Sequence, residues 1–189
     1  MIKCSRYVLS LALAATSVDA SIDFTPDTGE RVLDGIKFPQ LIFQEGSRKI
    51  TYEQPRGWTY SADSSRITFT PTNFSQAETA MEQSPLEKPQ NFDEETMKAL
   101  QEKVLTGAGP ASQNIAIVST EKNPVLLNGH ETFEVIIGYQ VSGVAFQRSV
   151  LFLNFPDMQL RFRVTARKQD FEKVHKAFRS SLTSFQGLR

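Results

Sequence analysis

The chain has 189 residues, 21 Lys+Arg against 21 Asp+Glu, 40 % apolar residues, one cysteine and two histidines. With 14 Phe in that apolar share it is not a disordered tail, and zero net charge excludes the general attraction to nucleic acid or anionic lipid that a surplus of Lys and Arg supplies. Two His and one Cys leave few ligands for zinc or copper, so neither a metal nor another cofactor is expected.

Read in chain order, Lys3 and Arg6, an apolar run from Tyr7 to Ala15 and the permissive Val18-Asp19-Ala20 make a secretory signal peptide over 1–20. The run is too short for the ~20 residues that span a bilayer, so cleavage before Ser21 and no integral span afterwards are expected. Cys4 precedes the run and is not placed to carry a lipid. Cleavage removes Lys3, Arg6, Asp19 and the cysteine, leaving 19 basic against 20 acidic residues in a periplasmic or secreted chain without disulfides. Such a chain must be stable by burial alone, which its length permits.

Residues 21–47 read as an N-terminal extension. Ser21 to Arg31 is polar and expected to be loosely attached, and Ile36, Phe38, Leu41 and Phe43 around Pro39 predict an edge strand. Residues 48–189 read as one domain. Ile50 and Tyr52, then Ile67 and Phe69, alternate with polar neighbours as half-buried strands do. Gln83 to Pro89 is a loop too short to be a domain linker. Asp93 is placed to cap a helix, Glu94 and Glu95 suit the positive end of its dipole, and Phe92 is placed to staple onto Met97. Met97, Leu100 and Val104 then face inward until Gly107 stops the helix.

Asn128-Gly129 predicts a hairpin from Val125–Leu127 into a strand with Phe133, Val135, Ile137, Tyr139 and Val141 on one face. Ser142-Gly143 turns that strand into Val144–Phe155, and Pro156-Asp157 turns the next into Leu160–Ala166, an antiparallel meander. An Asp170 cap then opens a helix with Phe171, Val174, Phe178 and Leu182 in one stripe, closing on Phe185. Apolar residues on both pleat faces of the long strands predict helices on both sides of the sheet, an α+β fold.

In the order of its elements, from Gln54-Pro55-Arg56-Gly57-Trp58 at a strand end, through the Phe-bearing strand, the strand Ala77–Glu82, the capped middle helix and the meander, to a helix closing on Ser184-Phe185, the chain resembles the Mog1/PsbP-like superfamily. The resemblance covers about Lys49 to Phe185. It implies an α/β/α sandwich around a central antiparallel sheet, docking onto larger partners, and no shared catalytic constellation. Relatives in that superfamily include the extrinsic photosystem II subunit, a Ran-binding nuclear transport factor and exported bacterial proteins; a leader that is not of plastid type argues against an oxygen-evolving role.

No catalytic set emerges from the residues. His130 and Glu134 would stand about 13 Å apart on a strand, too far to share a metal, and His175 reads as a rim histidine of the last helix. Asp93, Glu94 and Glu95 serve the dipole or, alternatively, gather a weak cation. The two glycines of Gly107-Ala108-Gly109 follow a helix, so they read as a helix stop and not as a phosphate loop. The informative polar feature is basic: Arg161, Arg163 and Arg167 share a pleat face, with Arg148 on the neighbouring strand. Guanidinium clusters bind carboxylates or phosphates and are enriched at interfaces; a solvated sheet edge is the alternative. Trp58 is a core residue or an interface anchor. The resulting expectation is an exported, non-enzymatic accessory domain docking onto a protein or envelope complex through Arg148, Arg161, Arg163, Arg167 and Trp58. The alternatives are a small-molecule or divalent-cation binder, a hydrolase using scattered carboxylates, or a structural envelope component.

Overall fold

Alternating and apolar runs become ten strands and two helices through residues 21–188, which the computed structural model describes; the segment 1–20, with its signal-peptide reading and Cys4, lies outside the described residues. The strands are β1 (Asp23–Leu33), β2 (Ile36–Glu45), β3 (Arg48–Tyr52), β4 (Trp58–Ala62), β5 (Arg66–Pro71), β6 (Glu78–Pro85), β7 (Gln113–Lys122), β8 (Thr132–Val141), β9 (Val144–Asn154) and β10 (Met158–Arg167). The helices are α1 (Glu94–Thr106), between β6 and β7, and α2 (Lys168–Leu182), after β10. Every pairing is antiparallel, in a three-stranded sheet β1-β2-β3 and a seven-stranded sheet β4-β5-β6-β10-β9-β8-β7. The α+β class holds, but with a second sheet that a single central sheet does not foresee.

The expectation of a loose Ser21–Arg31 is corrected, because these residues form most of β1, paired with β2 from Asp27↔Ile42 to Leu33↔Ile36. Strand pairing overrides the polar, Pro- and Gly-bearing sequence. Nor is β2 an edge along its whole length, since Leu41–Glu45 is flanked by β1 and β3. Pro39 faces only Glu30, beyond the end of β3, so its missing N–H is spared where one side of the strand is open. The outer half of the hairpin thus projects as a two-stranded ribbon, and at its tip Val32, Leu33 and Ile36 are exposed around the Asp34-Gly35 turn.

Two apolar clusters form the interior. In one, Leu100 and Val104 of α1 pack with Phe133, Val135, Ile137, Val150 and Phe152. In the other, Phe171, Val174, Phe178 and Leu182 of α2 pack with Leu151, Leu153, Phe162 and Val164 and with Phe43, Ile50 and Tyr52 of the small sheet. Successive residues of a strand point to opposite faces, which is how Phe152 and Leu151 enter different clusters. Asp93 caps α1 as expected, accepting from the Thr96 N–H at 2.8 Å, which holds its carboxyl below the usual range. The Asp170 cap is corrected: α2 begins at Lys168 directly after β10, its N-cap is Arg167 without a side-chain cap bond, and Asp170 lies in the first turn, where its charge suits the dipole.

The chain ends by returning to the small sheet. Thr51 and Gln186 exchange backbone hydrogen bonds of 3.0 and 3.1 Å, the Glu53 N–H donates to Ser184 Oγ at 2.8 Å, and Tyr52 Oη and Ser181 Oγ are 2.6 Å apart. Gly187 turns there with φ 82°, and a Cβ at that position would collide with the Lys49 carbonyl.

Candidate functional site

The register of the large sheet arranges its charges in rows. Arg66 on β5, Glu82 on β6, Arg161 on β10, Phe152 on β9 and Phe133 on β8 form one row; Ala80, Arg163, Val150 and Val135 form the next; Glu78, Thr165, Arg148 and Ile137 the third. The same pleat face is therefore apolar over β8 and over Val150 and Phe152 of β9, where α1 packs on it, and charged over β5, β6, β10 and Arg148 of β9. At the border lies a partly open cavity of about 120 Å³, lined by Glu82, Lys103, Gly107, Arg148, Arg161 and Arg163 with Val104, Val150 and Phe152 as its apolar wall. Helix α1 contributes Lys103 and Val104 and its C-cap Gly107, so the cavity lies where α1 ends.

Each cation is held differently. Arg148 is pinned by bonds from Nη1 to the Gly107 carbonyl at 2.7 Å and from Nε to Thr165 Oγ1 at 3.2 Å, and its guanidinium lies 5.3 Å from the Tyr139 ring centre. Arg163 donates to Glu78 Oε1 at 3.2 Å, a carboxylate it shares with Arg66 at 3.0 Å. Arg161 is the least satisfied. Its Nε is buried and has no hydrogen-bond partner among the described residues, and the nearest carboxylate oxygen, Glu82 Oε1, is 3.5 Å away. Burial lowers the pKa of Lys103, and the neighbouring charge of Arg161 lowers it further, while Glu82 opposes. Four cations thus line a cavity with one lining carboxylate, an arrangement suited to attract an anion.

Of the residues singled out in the sequence, the structure brings together Arg148, Arg161 and Arg163 and adds Lys103 and Glu82. Arg167 shares their pleat but stands at the strand end, donating from Nε to Gln76 Oε1 at 2.6 Å. Trp58 belongs to the α2 cluster, stacked on Phe178 with centroids 6.2 Å apart and only 9 % exposed; it contributes packing there and no surface to the cavity. Lys103 is hidden from a sequence reading because it sits on the polar side of an amphipathic helix whose docking direction only the fold supplies.

A second polar cluster also escapes the sequence. Glu134, 3 % exposed, accepts from Ser149 Oγ at 2.5 Å and meets His175 Nε2 at 2.7 Å, both at Oε1, while Arg179 Nη1 approaches Oε2 at 3.5 Å. Burial pushes the carboxyl up, but the hydrogen bonds and charges of His175, Ser149 and Arg179 outweigh it, leaving the pKa below the ordinary value. His175 is thus tied to a buried acid and is not a free rim residue. Ser149 and His175 both address the carboxylate and not each other, and Ser149 is buried, so the set lacks the nucleophile–base contact of a hydrolase. Among the described residues no three His, Cys, Asp or Glu side chains gather as a metal site, and no helix is long and apolar enough to cross a membrane.

No family model matches the chain and no curated protein does. Two of the solved structures that are similar superpose over most of both chains. The solution structure of cyanobacterial PsbP (CyanoP) from Synechocystis sp. PCC 6803 superposes with a TM-score of 0.52 at 12 % identity, covering 94 % of this chain and 99 % of that one. LpqN, involved in cell envelope biogenesis of Mycobacterium tuberculosis, superposes with a TM-score of 0.52 at 15 % identity, covering 87 % of this chain and 90 % of that one. At these identities the likeness is one of fold, and the fold is the PsbP-like one that the order of elements implies.

Proposed function

On this PsbP-like scaffold we propose an exported, non-enzymatic accessory domain that docks onto a protein or envelope-complex partner through its basic face. The two helices, each with its own apolar cluster, are read as the outer layers of an α/β/α sandwich whose uncovered strip is the docking surface. The observation that carries the reading is the convergence of Arg148, Arg161 and Arg163 with Lys103 around one cavity with a surplus of positive charge. The involvement of LpqN in envelope biogenesis supports the same direction. Residues 1–20 serve as the export signal, and 21–47 and 48–189 as extension and domain.

Affinity capture from an exported fraction, with the wild type and an Arg161→Gln/Arg163→Gln double variant of unchanged circular dichroism, tests this. A partner that binds the wild type is expected to be lost at 0.5 M salt and to bind the double variant at least about 30-fold more weakly, the equivalent of about 2 kcal/mol. A partner held equally by both proteins would remove the basic face from the docking surface.

A further inference from the structure

We infer that the cavity between α1 and β10 binds a phosphoryl oxyanion, inorganic phosphate or a terminal phosphate monoester. The inference rests on reading the basic face as a binding surface, but not on the partner being a protein. It starts from charge. Among the residues lining the cavity, Lys103, Arg148, Arg161 and Arg163 face a single acid, Glu82, and the next carboxylate, Glu78, is divided between Arg163 and Arg66. A monocarboxylate would neutralise one of the surplus charges, whereas a phosphate dianion neutralises two.

Donor accounting points the same way. Guanidinium carries five N–H donors. Arg148 directs three of its donors to Gly107, Thr165 and Tyr139, which fixes its plane and leaves the others uncommitted. Arg163 directs one to Glu78. Arg161 has a buried Nε that makes no hydrogen bond among the described residues and meets only Glu82, at 3.5 Å, an under-satisfied group of a kind that folded proteins rarely retain. A tetrahedral oxyanion, with oxygens in several directions, can accept from Arg161, Arg163 and Lys103 at once, beside the apolar wall of Val104, Val150 and Phe152. Burial first and the charge of Arg161 second lower the Lys103 pKa, and a bound dianion would offset the second. At about 120 Å³ the cavity has room for one such group, and its open side would let an ester present its phosphate from outside.

Titration calorimetry of the purified protein with inorganic phosphate is the test. Saturable uptake of one phosphate is expected, weakened about tenfold or more in Arg161→Gln and in Lys103→Gln and unchanged in the α2 surface variant Lys173→Gln. Lys103→Gln, on the rim of the helix, keeps the test open if Arg161→Gln fails to fold. Vesicles of phosphatidic acid in phosphatidylcholine form a second arm: binding there but not to free phosphate, lost in both cavity variants, assigns the phosphate to a lipid headgroup. No uptake in either arm, uptake indifferent to both variants, or equal competition by acetate at matched ionic strength overturns the inference. Its failure is distinct from that of the docking reading. Charge-dependent partner capture without phosphate uptake removes only the phosphoryl site, whereas phosphate uptake that leaves capture undisturbed removes the cavity from the docking surface only.

Discussion

At the scale of single residues, Glu134 is the most consequential group. It is a buried carboxylate held by Ser149, His175 and Arg179, and it ties β8 and β9 to α2. Removing one partner of a buried charged set strands the others, at a cost of about 3 kcal/mol. Glu134→Gln is therefore expected to lower the unfolding free energy by that amount at neutral pH, read from urea titrations as a lowered midpoint. Because the folded pKa lies below the ordinary glutamate value, the contribution is complete above that ordinary value and is lost as pH falls through the folded one. The stability gap between wild type and Glu134→Gln should accordingly shrink between about pH 4.5 and lower values in a series of urea titrations; a gap that stays constant would show that the carboxylate charge contributes nothing. The sequence does contain the anomaly, a charged residue in a strand whose two faces are both apolar. It does not contain the partners, which arrive from a helix 41 and 45 residues away.

At the scale of elements, α2 is the piece whose loss would be felt most, since its apolar stripe meets both sheets. Trp58 of β4 stacks on Phe178 there, and Phe178 also meets Phe69. Trp58→Ala is expected to cost about 3–5 kcal/mol by cavity formation, read as a lowered urea midpoint, and a change below about 1 kcal/mol would relocate Trp58 from packing to surface. This stripe was legible because its spacing is regular and its partners are apolar. So was the meander, whose turns Ser142-Gly143 and Pro156-Asp157 fall between long apolar runs; Ser142 and Gly143 both adopt positive φ, as a tight hairpin turn demands. By contrast β7 gives almost no periodic signal. All ten of its residues are exposed, and irregularities between Gln113 and Ala116 and between Ile117 and Ser119 shift which side chains share a face. An outermost strand with two interruptions has no alternation to read. The basic cavity was half legible: the pleat alternation groups Arg161, Arg163 and Arg167, but only the end of α1 separates the first two from the third.

At the scale of the whole molecule, stability is distributed unevenly. The outer half of the β1–β2 ribbon contains no core residue from Thr25 to Gln40, whereas β6, β10 and β9 lie inside the large sheet with buried residues along their lengths. Replacing Gly29–Gln40 by an Asn-Gly turn between Thr28 and Leu41 is expected to keep a cooperative thermal transition within a few degrees of the wild type, since it removes exposed contacts such as Lys37–Glu30. Loss of cooperativity would mean that the ribbon supports the core. Hydrogen exchange should rank the same way, fast in the ribbon and slowest in β9 and β10.

The pairing of Thr51 with Gln186 also imposes an order in time. Synthesis delivers the small sheet well before its closing segment, so β3 has no partner for the backbone groups that Gln186 will engage until α2 has been made. Tyr52 likewise waits for Phe185, which stacks on its ring at 4.7 Å. A sheet made early is therefore completed late, and the nascent chain stays open to handling by other factors until Phe185 and Gln186 emerge.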